Sequence, residues 1–119
     1  MSASKRKGTS WESQIVDYLR GQGAPHAERR ALGGAKDRGD IAGVPGVVIE
    51  AKAAAKIELG VWLAEAEAER VNDGADLAVV WHKRRGKASP ADGYVSMDGA
   101  TLVRLLRAAG YLTQPPQAS

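Results

Sequence analysis

The 119-residue chain has no cysteine, which excludes a disulfide framework and a thiolate zinc site and fits a reducing compartment. No apolar run approaches the roughly 20 residues that a membrane span needs. The basic start, Lys5, Arg6 and Lys7, lacks the apolar stretch of a signal peptide, so a soluble, cytoplasmic protein is expected. Gly33, Gly34, Ala35 and Lys36 fall short of a phosphate-loop pattern, and no nucleotide cofactor is expected. Arg38-Gly39-Asp40 matches a cell-adhesion tripeptide, but no secretion signal supports that use. No segment repeats another. A chain of this length holds one domain, able to bury roughly two thirds of its unfolded surface around a single core.

What is present is charge, unevenly spread. The net charge is only +3, yet the basic residues gather at Lys5, Arg6 and Lys7, at Arg29 and Arg30, at Lys36 and Arg38, at Lys52 and Lys56, and at Lys83, Arg84, Arg85 and Lys87. Much of the acid lies within residues 58–76. Such segregation points to a basic face for a polyanion and an acidic face elsewhere. Ordinary solvated charge would give the same composition.

Residues 1–8 are polar, basic and aperiodic, and read as a flexible arm. A helix is expected from Thr9. Thr9 with Glu12 matches a capping box, Trp11, Ile15, Tyr18 and Leu19 recur at helical spacing, and Gly21 and Gly23 end it. Residues 26–32 read as a strand, followed by a glycine-rich charged loop. Residues 40–43 and 47–53 flank Val44, Pro45 and Gly46 as a β-hairpin. A helix over residues 59–72, in which Leu59, Trp62, Leu63, Ala66 and Arg70 alternate with the acidic run Glu65, Glu67 and Glu69, is closed by Gly74. Strands at residues 77–81 and 94–97 enclose the basic loop. Asp98 caps a last helix through Leu102, Val103, Leu105, Leu106 and Ala109, ended by Gly110. Residues 113–119 read as a disordered tail, leaving 9–112 as the domain. The order α-β-β-β-α-β-β-α implies an α/β fold, a mixed central sheet of about five strands flanked by helices.

Strands alternate faces with period two, so Val48, Glu50 and Lys52 share one face. An acid and a lysine on one face of an otherwise apolar strand are unusual for a core. With a three-residue loop at Val44, Pro45 and Gly46, Gly43 faces Val47 and Asp40 lies across from Glu50. Directly opposed residues have Cβ atoms about 4.5–5.5 Å apart, where like charges destabilise a sheet. A proton or a cation between the two carboxylates removes that penalty. Hard oxygen donors of this kind suit Mg²⁺. Lys52, two residues on, points to the same place, where it could orient or deprotonate a water or neutralise a phosphate. The chemistry implied is metal-assisted attack of water on a phosphodiester. The plainer reading makes Glu50 and Lys52 a surface ion pair and Asp40 a turn residue.

The string Gly39-Asp40-Ile41, then Val48-Ile49-Glu50-Ala51-Lys52, resembles the D…E-x-K signature of the PD-(D/E)XK nuclease superfamily, with Gly39 in place of the proline. Lys7-Gly8-Thr9-Ser10-Trp11-Glu12 resembles the start of archaeal-type Holliday-junction resolvases. Arg29-Arg30 before Gly33-Gly34 falls where those proteins carry an arginine and a glycine-rich loop. The resemblance spans residues 7–83. The small size and the loop of His82, Lys83, Arg84 and Arg85 are similar to resolvase-like proteins of bacteriophages. It implies a restriction-endonuclease-like fold and an Mg²⁺-dependent endonuclease, with Mn²⁺ able to substitute. By position, Asp40 and Glu50 would ligate the metal with the Ala51 carbonyl, Glu12 would reach it from the first helix, and Lys52 would be the catalytic lysine. Ser10, or Thr9 in its stead, would lie near the scissile phosphate. Such proteins are homodimers that nick a four-way junction twice.

Lys7, Ser10, Arg29, Arg30, Lys36, Arg38, Lys83, Arg84 and Arg85 are the DNA-contact candidates. Arg29 and Arg30 point to opposite faces of their strand, so one of them at most faces the site. Lys36 and Arg38 lie in a loop, where solubility explains them equally well. His82 reads as a DNA-facing strand end rather than a general base, and His26 follows Pro25 without a pattern. Trp62 and Trp81 read as core or dimer contacts rather than stacking platforms. The expected function is metal-dependent cleavage of branched DNA, with four-way junctions first. The alternatives are a restriction-like or repair nuclease of the same fold and a DNA-binding module without chemistry.

Overall fold

A computed structural model of the chain describes residues 3–30 and 38–115, with side chains from residue 7 onward. The first helix, α1 (Ala3–Gly21), begins six residues before the expected start. Thr9 therefore lies inside it, no capping box forms, and the segment expected as an arm is helical from Ala3 on. Lysine and arginine are strong helix formers. Once Trp11, Ile15 and Val16 bury one face of residues 9–20, extending the helix backwards costs little, because nucleation has already occurred.

Strand β1 (Glu28–Arg29) is shorter than the expected strand, whose residues 31 and 32 lie outside the described residues. It pairs antiparallel with β2 (Ile41–Ala42), which pairs antiparallel with β3 (Val47–Lys52). Ile41 stands opposite Ile49, as the expected register requires, and Asp40, just before β2, donates its N–H to the Ile49 carbonyl at 3.1 Å, with its side chain beside Glu50. The helix α2 (Leu59–Asp73) ends at Gly74, whose φ of 70° lets its N–H and that of Ala75 turn back onto the last carbonyls. It carries the chain over to β4 (Leu77–His82), parallel to β3 with Val47 beside Leu77 and Lys52 beside His82. A turn of 3-10 helix (Pro90–Asp92) leads into β5 (Tyr94–Ser96), antiparallel to β4. Asp98 caps α3 (Gly99–Ala108) by accepting from the Thr101 N–H at 2.8 Å, as expected. The result is an α/β fold with a five-stranded mixed sheet in the order β1-β2-β3-β4-β5.

Alternation along β3 and β4 divides the core in two. Ile49 and Val79 face α1 and join Trp11, Ile15, Val16, Ala27 and Ile41. Val48, Ala78 and Val80 face α2 and join Trp62, Ala66 and Ala75. Fully burying an aliphatic or aromatic side chain stabilises by roughly 1.5–3 kcal/mol, so these two layers fix which face of β3 meets α2. Glu50, 4% exposed, is an acidic residue on the face of β3 that carries the second layer. No helix among the described residues is long and apolar enough to cross a membrane.

Candidate metal centre

β3 directs Glu50 and Lys52 toward α2, between the sheet and the helix. Asp40 is brought to Glu50 by Gly39, whose φ of 100° lies in the left-handed region. A Cβ at Gly39 would stand 2.8 Å from Val48 Cγ1. Proline, held near φ −65°, cannot occupy such a position, which accounts for the glycine before Asp40. The Asp40 carboxylate is pinned in turn: its Oδ2 accepts the Ala51 N–H at 2.8 Å. Asp40 and the Glu50-Ala51-Lys52 strand are thus joined by side chain as well as by sheet register.

The carboxylates form a continuous group. Glu50 lies within hydrogen-bonding reach of Asp40 on one side and Glu69 on the other. Glu12 reaches Asp40 from α1 and is held by Arg29, Nη2 to Oε2 3.1 Å. Glu12 lies inside α1 rather than at its cap, which leaves its side chain beside Asp40. Lys52 Nζ donates to Glu65 Oε2 at 2.9 Å. Carboxylate oxygens of Glu50, Glu65 and Glu69 lie within 4.8 Å of one another.

Glu65 and Glu69 were absent from the expected set, because the acid of residues 58–76 read as a solvated face away from the site. The stripe that α2 buries is Trp62, Ala66 and Glu69. Arg70 is half-buried beside it, Nη2 donating to Glu67 Oε1 at 2.6 Å and Nη1 to the Ala75 carbonyl at 3.1 Å. The signal was present: Glu69 stands seven residues after Trp62, on the same helical face.

Glu12, Asp40, Glu50, Glu69 and Glu65 thus form a chain of neighbouring carboxylates, with Arg29 held at Glu12 and Lys52 at Glu65. Burial, with the neighbouring Asp40 and Glu69, pushes Glu50 up to about 12. Burial and the Asp40 charge raise Glu12 as well. Without a cation, then, the group holds protons. Burial pulls Lys52 down, but the Glu65 hydrogen bond and the charges of Glu50, Glu65 and Asp40 outweigh it, so Lys52 is held protonated. The donor set is all hard oxygen, mutually repelling and partly buried, and it fits a divalent cation of the Mg²⁺ class.

The other candidates are scattered around this centre. Arg29 neutralises Glu12. Arg30 and Arg38 approach Asp73 Oδ1 at 3.9 and 3.8 Å, one turn of α2 beyond Glu69. Ser10 is exposed and accepts weakly from Gln14, at 3.4 Å. Lys36 lies outside the described residues. Lys7, Lys83, Arg84 and Arg85 line one cavity of about 530 Å³ at the carboxyl ends of β3 and β4. His82 ends β4 at the rim of that cavity. It is buried, bonded to Ser96 Oγ at 2.7 Å and packed beside the Trp62 ring, and burial holds its pKa down. Trp62 is core, as expected, while Trp81 is half-buried and donates to the Pro90 carbonyl. A larger cavity of about 670 Å³ opens beside Gly46, Asp76 and α3, away from these carboxylates. Compared with known proteins, the chain shows no significant match to any family model, curated protein or solved structure.

Proposed function

We propose that this protein is a metal-dependent DNA endonuclease of the PD-(D/E)XK type that acts on branched duplexes, four-way junctions foremost. The observation that carries the reading is the union of Asp40, Glu50 and Lys52 in one half-enclosed group, with Ala51 bonded to Asp40 between the strands. Asp40 and Glu50 would hold Mg²⁺ or Mn²⁺, with Glu12 and the Ala51 carbonyl as further ligands. A cation bound there supplies Lewis-acid stabilisation of charge on the phosphate. Lys52, kept protonated by Glu65, donates a hydrogen bond to the phosphate or to the attacking water. It orients rather than deprotonates.

Pairing of two copies would match the two-fold symmetry of a junction. In support, Leu102, Val103 and Leu105 of α3 and the following Tyr111 and Leu112 are exposed apolar residues near one another in the chain. The test is a gel assay on labelled four-way junction, linear duplex and single strand, with Mg²⁺ or EDTA. The reading expects paired nicks in the junction, absent with EDTA and reduced at least a thousandfold in Glu50→Gln. Cleavage of every substrate would remove junction selectivity. Tight binding with no cleavage of any substrate would leave a binding module.

A further inference from the structure

We propose that the cavity at the carboxyl ends of β3 and β4 takes one unpaired nucleotide of a DNA strand, its base on Tyr94 and its phosphates on the Lys83, Arg84 and Arg85 loop. The inference rests on the nuclease reading only in taking DNA as the ligand.

Among the described residues, four cations and no carboxylate line this cavity, although the net charge is only +3. Its volume, about 530 Å³, lies in the range of sites that enclose small ligands. One wall is apolar, formed by Ala53, Ala54, Ala55 and Ile57. Opposite in character is Tyr94, 54% exposed, with the Arg84 guanidinium 4.7 Å from its ring centroid and the His82 ring edge-on at 6.0 Å. An aromatic held by a cation and a ring, beside a basic loop, is the pairing of features that binds unpaired nucleic acid. Paired DNA offers only phosphates to such a pocket, because its base faces are already stacked. The loop starts at the metal centre itself: the Lys83 N–H donates to the Lys52 carbonyl at 2.9 Å. A strand seated there would leave the duplex next to the scissile position, so the preferred substrate would be one with unpaired nucleotides at a branch.

The test uses the whole protein in EDTA, so that binding is read without cleavage. Anisotropy compares a blunt duplex with a forked duplex of the same sequence that carries 2-aminopurine in its unpaired arm. The fork is expected to bind about tenfold tighter, with the 2-aminopurine quenched. Tyr94→Ala is expected to lose both effects, and Tyr94→Phe to keep them. Ala54→Glu, a change at an exposed wall position two residues beyond β3, is expected to lower the preference too. Equal binding of fork and blunt duplex by the wild type would overturn the proposal, as would a preference that survives in Tyr94→Ala and Ala54→Glu. Displacement of the fork by free deoxynucleotide as readily as by oligonucleotide would overturn strand recognition. A protein that prefers the fork but never cuts with Mg²⁺ would lose the nuclease reading and keep the pocket. One that cuts without preferring the fork would lose the pocket alone.

Discussion

Glu50 occupies a position in β3 that its neighbours Val48 and Val80 define as apolar, and this sets its titration. Its pKa in the fold is pushed far above the ordinary 4.5, up to about 12, first by burial and then by Asp40 and Glu69. Between those values the folded protein carries a proton that the unfolded chain has released. By linkage, stability falls as pH rises through this window and is greatest below it. His82 works the other way, since its lowered pKa makes stability rise with pH, but that effect is complete by about pH 7.5. From about pH 7.5 to 9, therefore, urea melts of the metal-free wild type are expected to show falling stability, and Glu50→Gln to flatten the slope. A slope identical in both proteins would mean that Glu50 ionises freely. The residues behind this behaviour could be read early. Asp40, Glu50 and Lys52 are related by strand alternation and a three-residue turn, both local rules, and the register follows them.

Elements were less legible where packing, not pattern, decides. Strands β2 to β5, α2 and α3 lie close to their expected bounds because glycines and the Asp98 cap mark them locally. The start of α1 does not, since Thr9 and Glu12 satisfy a capping rule that the longer helix overrides. The same limit hid α2's part in the site. Its four acidic residues, Glu65, Glu67, Glu69 and Asp73, look alike in composition; the spacing from Trp62 marks Glu69, but the position of β3 is what selects Glu65. Glu65 holds Lys52 at 2.9 Å. Glu65→Ala is accordingly expected to slow cleavage by about tenfold to a hundredfold through misplacement of the lysine. Glu65→Gln, which keeps an acceptor oxygen, is expected to retain most of the rate. Single-turnover cleavage of one junction substrate makes the comparison. Equal rates for Glu65→Ala and wild type would show that Lys52 is positioned by other means.

At the scale of the whole molecule, charge is sorted around the sheet. The acid that composition placed on a remote face lies in part at the centre, and the basic residues flank it. Arg30 and Arg38 lie toward Asp73, and Lys7, Lys83, Arg84 and Arg85 lie at the ends of β3 and β4. Polyanion binding by such a flank is salt-dependent. Replacing Lys83, Arg84 and Arg85 with alanine is expected to reduce the log–log salt slope of DNA binding by roughly one unit per lost phosphate contact. An unchanged slope would remove that loop from the interface. The centre itself is tested most directly by a calorimetric Mn²⁺ titration into metal-free protein, in wild type, Asp40→Asn and Glu50→Gln. The account predicts saturable binding with proton release in the wild type, lost or greatly weakened in both variants. Absence of binding in the wild type, or equal binding in all three proteins, would contradict a cation site at Asp40 and Glu50.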